Sequence, residues 1–278
     1  MRKIKLIKTG VAAIDGAGVH LHRIFGYHDT PLFDPFLMLD DFRNDDPKDY
    51  LAGFPWHPHR GIETITYMLE GSAEHGDSLG NSGVICKGEV QWMTAGSGII
   101  HQEMPKPDVQ GRMYGFQLWA NLPAKDKMIT PRYQDVKAKD IPRVEDPQGA
   151  VVKVICGSYM GSKGPVEDLA VDAQYWDVHI MPERSVVLHV KQGMNCFVYC
   201  YGGDAVIDGK LIGNRQVVLF EDGENIQIQS EKNGFNLLFL SGKPLGEPIA
   251  WRGPIVMNSK EELDTAFRQL GDNSFIKA

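Results

Sequence analysis

Short apolar runs dominate the chain, and they are rich in β-branched and aromatic residues. Residues 62–69, 151–155, 186–190, 197–201, 217–220 and 237–240 read as strands. Between them stand pairs of turn-forming residues: Gly76-Asp77, Gly80-Asn81, Asp208-Gly209, Gly213-Asn214 and Asp222-Gly223. Short strands punctuated in this way predict a barrel or a sandwich. Only one segment has clear helical spacing. Ser259-Lys-Glu-Glu262 is a capping-box pattern, and Leu263, Ala266, Phe267 and Leu270 follow on one face. Gly271 is placed to stop this helix. Residues 122–149 and 157–174 are rich in proline, glycine and charge, and the first of these stretches reads as a linker between two β units.

A weak internal repeat supports two such units. Tyr67-Met-Leu-Glu-Gly71 resembles Tyr199-Cys-Tyr-Gly-Gly203, 132 residues later, and Gly88-Glu-Val-Gln91 resembles Gly213-Asn-Arg-Gln216, 125 residues later. Turn and strand keep the same order in both copies, which predicts two related barrels.

Composition narrows the function classes. With 278 residues the chain is long enough for two domains. Its 42% hydrophobic and 23% charged residues are ordinary for a soluble globular protein and exclude wholesale disorder. The net charge of −7 lacks the basic footprint of a direct nucleic-acid binder. No apolar run is long enough for a membrane helix, and charge interrupts Met1-Arg-Lys-Ile-Lys-Leu-Ile-Lys8 too often for a signal-peptide core. Cys86, Cys156, Cys196 and Cys200 form no CxxC pattern and read as reduced thiols, so a cytoplasmic location is expected.

Candidate chemistry sits in two stretches. In Phe54-Pro-Trp-His57-Pro-His59-Arg-Gly-Ile-Glu63, His57 and His59 are two apart, and Pro58 disfavours helix. On an extended strand both imidazoles project to one face, and Glu63 has the same parity. In Gly96-Ser-Gly98-Ile-Ile-His101-Gln-Glu103, His101 and Glu103 repeat the spacing after a glycine-rich turn. Two such strands meeting inside a barrel would gather three imidazoles and one carboxylate. Nitrogen and oxygen donors without thiolate suit Fe(II), Mn, Ni, Cu or Zn, and a site left partly open favours iron chemistry over a closed structural zinc. His20 and His22 are another such pair but have no partner pair. In the repeat, His57 maps to His189, whereas His59, Glu63, His101 and Glu103 map to Lys191, Asn195, Ile226 and Ile228. The second barrel is therefore expected to have a filled, structural interior and not to hold metal in the same way.

These residues resemble the pirin family of the cupin superfamily. The resemblance rests on Phe33-Asp-Pro-Phe36 with Leu39-Asp-Asp41, Gly53-Phe-Pro55, His57-Pro-His-Arg-Gly61, Thr66-Tyr-Met-Leu-Glu-Gly71, Gln91-Trp-Met-Thr-Ala-Gly96, Gly98-Ile-Ile-His-Gln-Glu103 and Pro254-Ile-Val-Met-Asn258, and covers nearly the whole chain. It implies an all-β bicupin: two antiparallel, jelly-roll-type β-barrels packed face to face, with a short C-terminal helix. The division expected is a metal-binding barrel over 1–132 and a metal-free barrel plus helix over 133–278. It also implies His57, His59, His101 and Glu103 as ligands of one divalent metal ion, generally iron. Glu63 then stands outside the ligand set and is expected to orient a ligand histidine. Trp56 is expected to line the pocket mouth or to pack.

Two function classes follow from the resemblance. Pirin-like proteins include some with quercetin 2,3-dioxygenase activity, in which a flavonol ring is cleaved with O2 and carbon monoxide is released. Glu103 is the candidate catalytic base for the flavonol 3-hydroxyl. Others bind a protein partner, a transcription factor or a metabolic enzyme, with the metal as a redox sensor. A further possibility is another enediol or phenol as the natural substrate. A monomer is expected, because two barrels in one chain supply the contact that single-barrel cupins obtain by dimerising.

Overall fold

The chain opens on β1 (Ile4–Thr9), followed by β2 (Val11–Asp15), β3 (Val19–Phe25), β4 (Phe36–Asp41), β5 (Phe54–His59) and β6 (Ile62–Glu70). Next come β7 (Ser72–Asp77), β8 (Ser82–Ile85), β9 (Val90–Thr94), β10 (Ile99–Lys106), β11 (Tyr114–Asn121) and β12 (Arg132–Val136). In this computed structural model, which describes residues 1–277, β2 to β12 build two antiparallel sheets. One has the order β12-β9-β6-β11-β4-β3-β2 and the other β5-β10-β7-β8. β6 is buried continuously from Ile62 to Met68, which explains why apolar residues and threonines dominate it, with Glu63 as its one buried carboxylate.

The second half contains β13 (Arg143–Asp146), β14 (Ala150–Cys156), β15 (Ser158–Tyr159), β16 (Ser162–Lys163), β17 (Ala173–Ile180) and β18 (Ser185–His189). It continues with β19 (Asn195–Ile207), β20 (Lys210–Ile212), β21 (Gln216–Phe220) and β22 (Asn225–Gly242). Their sheet runs β1-β21-β19-β22-β17-β14-β13, with β18 beside β22 and β20 beside β19. An apolar cluster occupies its interior, with Trp176 stacked on Phe239. Ile226 and Ile228, the repeat counterparts of His101 and Glu103, lie inside that cluster, as the filled interior requires.

Two strands run well past their sequence-predicted ends. Residues 197–201 and 237–240 are only parts of β19 and β22, which span 13 and 18 residues. The strand read as ending at Tyr201 continues through Gly202-Gly203, where bulges at Cys200/Gly202 and Gly203/Ala205 bend β19 without ending it. Residues 122–149 are not a structureless linker either. They hold β12, which pairs with β9, and β13, which pairs with β14. The polar sequence of β12, Arg-Tyr-Gln-Asp-Val, hides it from a hydrophobicity reading.

Two compact units emerge. One holds Ala12–Asp29, Phe36–Ala138 and the chain from Leu245 onward; the other holds Met1–Val11, Thr30–Pro35 and Lys139–Pro244. The cut expected at 132/133 falls inside β12, and each terminus groups with the other half of the chain. The N-terminus does so because β1 covers the open edge of β21, with Ile4 opposite Phe220. Arg2 anchors it: its side chain is buried and donates to the carbonyls of Gly223, Met194, Glu221 and Lys191.

The C-terminal segment forms β23 (Ala250–Arg252), β24 (Ile255–Met257) and α1 (Lys260–Gly271). The capping box is present: Ser259 accepts from the Glu262 N–H, and the Glu262 side chain reaches back to the Ser259 N–H. Leu263 and Ala266 are its buried face. The helix runs through Gly271 to a cap at Asp272, and the left-handed residue is Asn273, at φ 60°. Among the described residues, no helix is long and apolar enough to cross a membrane.

Candidate metal site and its cavity

β5 and β10 are antiparallel neighbours, and their register places His57 directly opposite His101. Alternation then brings His59 onto the same face. The three rings form a tight group, with centroids 4.8 Å (His57–His59), 4.4 Å (His57–His101) and 5.0 Å (His59–His101) apart. One ring nitrogen from each lies within 4.8 Å of the others. His59 and His101 are buried, and burial, reinforced by the neighbouring imidazoles, pushes both well below the usual histidine range. They are neutral, with lone pairs available for a metal.

The outer ring nitrogens of two of them are already committed. His57 Nδ1 is 2.8 Å from the Pro55 carbonyl and His59 Nδ1 is 3.1 Å from the Pro254 carbonyl. A carbonyl can only accept, so each Nδ1 carries the proton and each Nε2 keeps its lone pair. His101 is different: among the described residues neither ring nitrogen has a hydrogen-bond partner, although the residue is 1% exposed. An orphaned buried polar atom costs about 1–3 kcal/mol. A bound cation removes that cost, so the donor set fits a metal, and its chemistry fits Fe(II), Mn, Ni, Cu or Zn.

Glu103 lies on the same strand as His101 but outside the group of three nitrogens. Its oxygens accept from Thr66 Oγ1 (2.9 Å) and Gln117 Nε2 (2.8 Å). Gln117 is held in turn by the Trp119 indole N–H, 3.1 Å from Oε1. Glu63 does not orient a ligand histidine. Its carboxylate accepts from Thr94 Oγ1 at 2.7 Å, and backbone carbonyls take the Nδ1 positions of His57 and His59. The parity count fails because Gly61, at φ +76°, interrupts the alternation between β5 and β6. Trp56 is 55% exposed and is not among the cavity-lining residues.

His57, His59 and Glu103 line a cavity of 620 Å³. Most of its wall is apolar, including Met38, Met68, Phe54 and Trp119, and the C-terminal segment adds Trp251 and Pro254. Trp119 packs edge-on against His59, and Trp251 packs beside Trp119. The segment is pinned by two buried cations. Arg60 donates to the carbonyls of Ser97 and Phe275 and to Gln269 Oε1, and its guanidinium lies 4.1 Å from the Phe275 ring centroid. Lys127 Nζ donates to Gly61 O, Asn121 Oδ1 and Val256 O at 2.9, 2.7 and 3.0 Å. Burial pushes Lys127 down to about 7 and Arg60 down to about 10. Thr66, Gln117, Trp119, Trp251 and Pro254 have no signature in spacing. Gln117 alone leaves a trace, as a polar residue inside the apolar run of β11.

The pirin family model matches residues 18–120, and the model of the pirin C-terminal cupin domain matches residues 175–276. The chain belongs to the pirin family. The first match contains His57, His59, His101 and Glu103; the second contains Trp251 and Pro254. A pirin relative from Pseudomonas aeruginosa, named "Putative quercetin 2,3-dioxygenase", is 45% identical over 98% of this chain and 97% of its own. The crystal structure of quercetin 2,3-dioxygenase from Acinetobacter baumannii superposes with a TM-score of 0.92 at 32% identity, covering 99% of this chain and 98% of that one. The bacterial pirin YhhW from Escherichia coli, crystallised in complex with nickel(II), has a TM-score of 0.67 at 22% identity, covers 86% of this chain and 99% of its own, and speaks to the bicupin fold alone.

Proposed function

We propose that this pirin is a metal-dependent oxygenase of the quercetin 2,3-dioxygenase type, with His57, His59, His101 and Glu103 holding one Fe(II). The observation that carries this reading is a set of three converging imidazoles, two of them buried and neutral, at one end of an apolar cavity. The relatives named for flavonol cleavage supply the substrate class. A divalent cation there would act as a Lewis acid, drawing in the flavonol 3-oxygen and 4-carbonyl oxygen and easing loss of the 3-hydroxyl proton.

The chain's own residues do the rest. The Pro55 and Pro254 carbonyls hold the His57 and His59 rings in the Nδ1–H tautomer. Glu103 accepts the 3-hydroxyl proton, with its carboxylate aimed by Thr66 and Gln117. The apolar wall excludes bulk water from the deprotonated flavonol. Both atoms of O2 enter the organic product, and one ring carbon leaves as carbon monoxide.

Glu103→Gln tests the base. The carboxamide keeps the shape and an oxygen for the Thr66 hydroxyl but cannot take the proton. Turnover of quercetin per bound metal should fall about 10²–10⁴-fold, the usual contribution of a general base. Wild-type turnover by metal-loaded Glu103→Gln would remove Glu103 from that role.

A further inference from the structure

A row of polar residues crosses the cavity wall at right angles to the strands. Thr66 on β6 pairs with Gln117 on β11, Gln117 with Asp40 on β4, and Asp40 with Arg23 on β3. Residues paired in this way point to one face of the sheet, and all four line the cavity. Adjacent strands are ~4.8 Å apart, so Arg23 stands about 10 Å across the sheet from Gln117. Neighbours two residues away along the chain are apolar and line the same cavity: Leu21, Met38, Phe42, Met68 and Trp119. The result is a polar stripe between two apolar bands, suited to a flat aromatic ligand lying along it.

One end of the stripe carries Glu103 on Thr66 and Gln117. The other carries a guanidinium with spare capacity. Arg23 Nε and Nη2 donate to Asp40 Oδ1 (2.9 Å) and Oδ2 (2.8 Å), and Nη2 also donates to Asp15 Oδ2 (2.6 Å). Nη1 makes no hydrogen bond among the described residues. Two carboxylates face one guanidinium here, so acceptors are in excess, and an anionic ligand group would be repelled. A hydroxyl suits both sides: it accepts from Nη1 and donates to a carboxylate oxygen.

We propose that Arg23, with Asp40 and Asp15, forms a distal subsite for a neutral hydroxyl on a flat aromatic ligand whose metal-facing oxygens sit at the Glu103 end of the stripe. This rests on the metal-end reading above and narrows its substrate class. Flavonols that carry hydroxyls remote from the 3-hydroxy-4-oxo pair are preferred over the unsubstituted parent.

Direct binding separates the two readings. Nickel(II)-loaded protein is titrated under nitrogen with quercetin and, separately, with 3-hydroxyflavone, which keeps the chelating oxygens and lacks the remote hydroxyls. Wild type should bind quercetin at least about tenfold more tightly, the effect of one hydrogen bond to a charged group. Arg23→Lys keeps a cation beside Asp40 but loses the planar fork, and should cut the preference to below about threefold. Asp15→Asn, at the partly exposed edge, should lower it in the same direction without breaking the Arg23–Asp40 pair. Equal binding of the two ligands by wild type, or a full preference retained in both variants, overturns the subsite alone. Binding of neither ligand by the metal-loaded protein overturns the flavonol reading and the subsite drawn from it.

Discussion

His101 gains most from a ligand. Its neighbours His57 and His59 each anchor one nitrogen on a carbonyl, while both nitrogens of His101 are buried without a partner among the described residues. His101→Ala should therefore abolish stoichiometric metal binding, read by elemental analysis after loading and desalting. The thermal midpoint of the metal-free protein should change little, because the substitution also deletes two unsatisfied polar atoms. The rise in midpoint on adding metal should vanish. Full metal occupancy in His101→Ala would dismantle the proposed site. The ligand residues are legible in the sequence because two strands each carry donors at the period of an extended chain. Thr66 and Gln117 are not, because they reach Glu103 through strand register set by the whole sheet.

At the scale of elements, the site depends on a segment that arrives from the far end of the chain. Val256 shares Lys127 with Gly61, two residues from His59, and Pro254 holds the His59 ring. A Cβ on Gly61 would stand 2.0 Å from the Val256 oxygen, which is why glycine is needed at that close approach. Lys127 also makes this clamp sensitive to pH. Its folded value is about 7, against 10.5 for the free side chain. Between those values the unfolded chain binds the proton that the folded one has lost, so this group makes stability rise with pH. The slope is at most about 1.4 kcal/mol per pH unit. Lys127→Met should be less stable than wild type in denaturant titration, and the gap should widen from pH 7 to pH 9. A constant gap would mean that Lys127 keeps its proton throughout. Strand positions are largely readable in advance, but their lengths are not. Glycines that look like ends at 202–203 become bulges, and the polar β12 is recognisable only from its partner β9.

The whole molecule follows from a repeat that kept its fold while its interior diverged. Tyr67 and Tyr199 are both fully buried, and Gly71 and Gly203 that follow them share positive φ values of 75° and 70°. The interiors differ: one copy opens a cavity beside three histidines, and the other buries Ile226 and Ile228 in an apolar cluster. Two barrels are thus legible from the sequence. The exchange of termini is not, because β1 and the C-terminal segment find their places through edges and pockets that exist only once the sheets have formed. If the proposed function holds, a bound metal, the cavity and O2 together must cleave a flavonol. The most direct measurement is carbon monoxide release from Fe(II)-loaded protein given quercetin and O2, recorded alongside loss of the flavonol absorbance, with His101→Ala in parallel. Carbon monoxide should appear in step with quercetin loss in wild type and not at all in the variant. Full metal loading with no carbon monoxide, or quercetin loss that is equal in the two proteins, would contradict the proposed function.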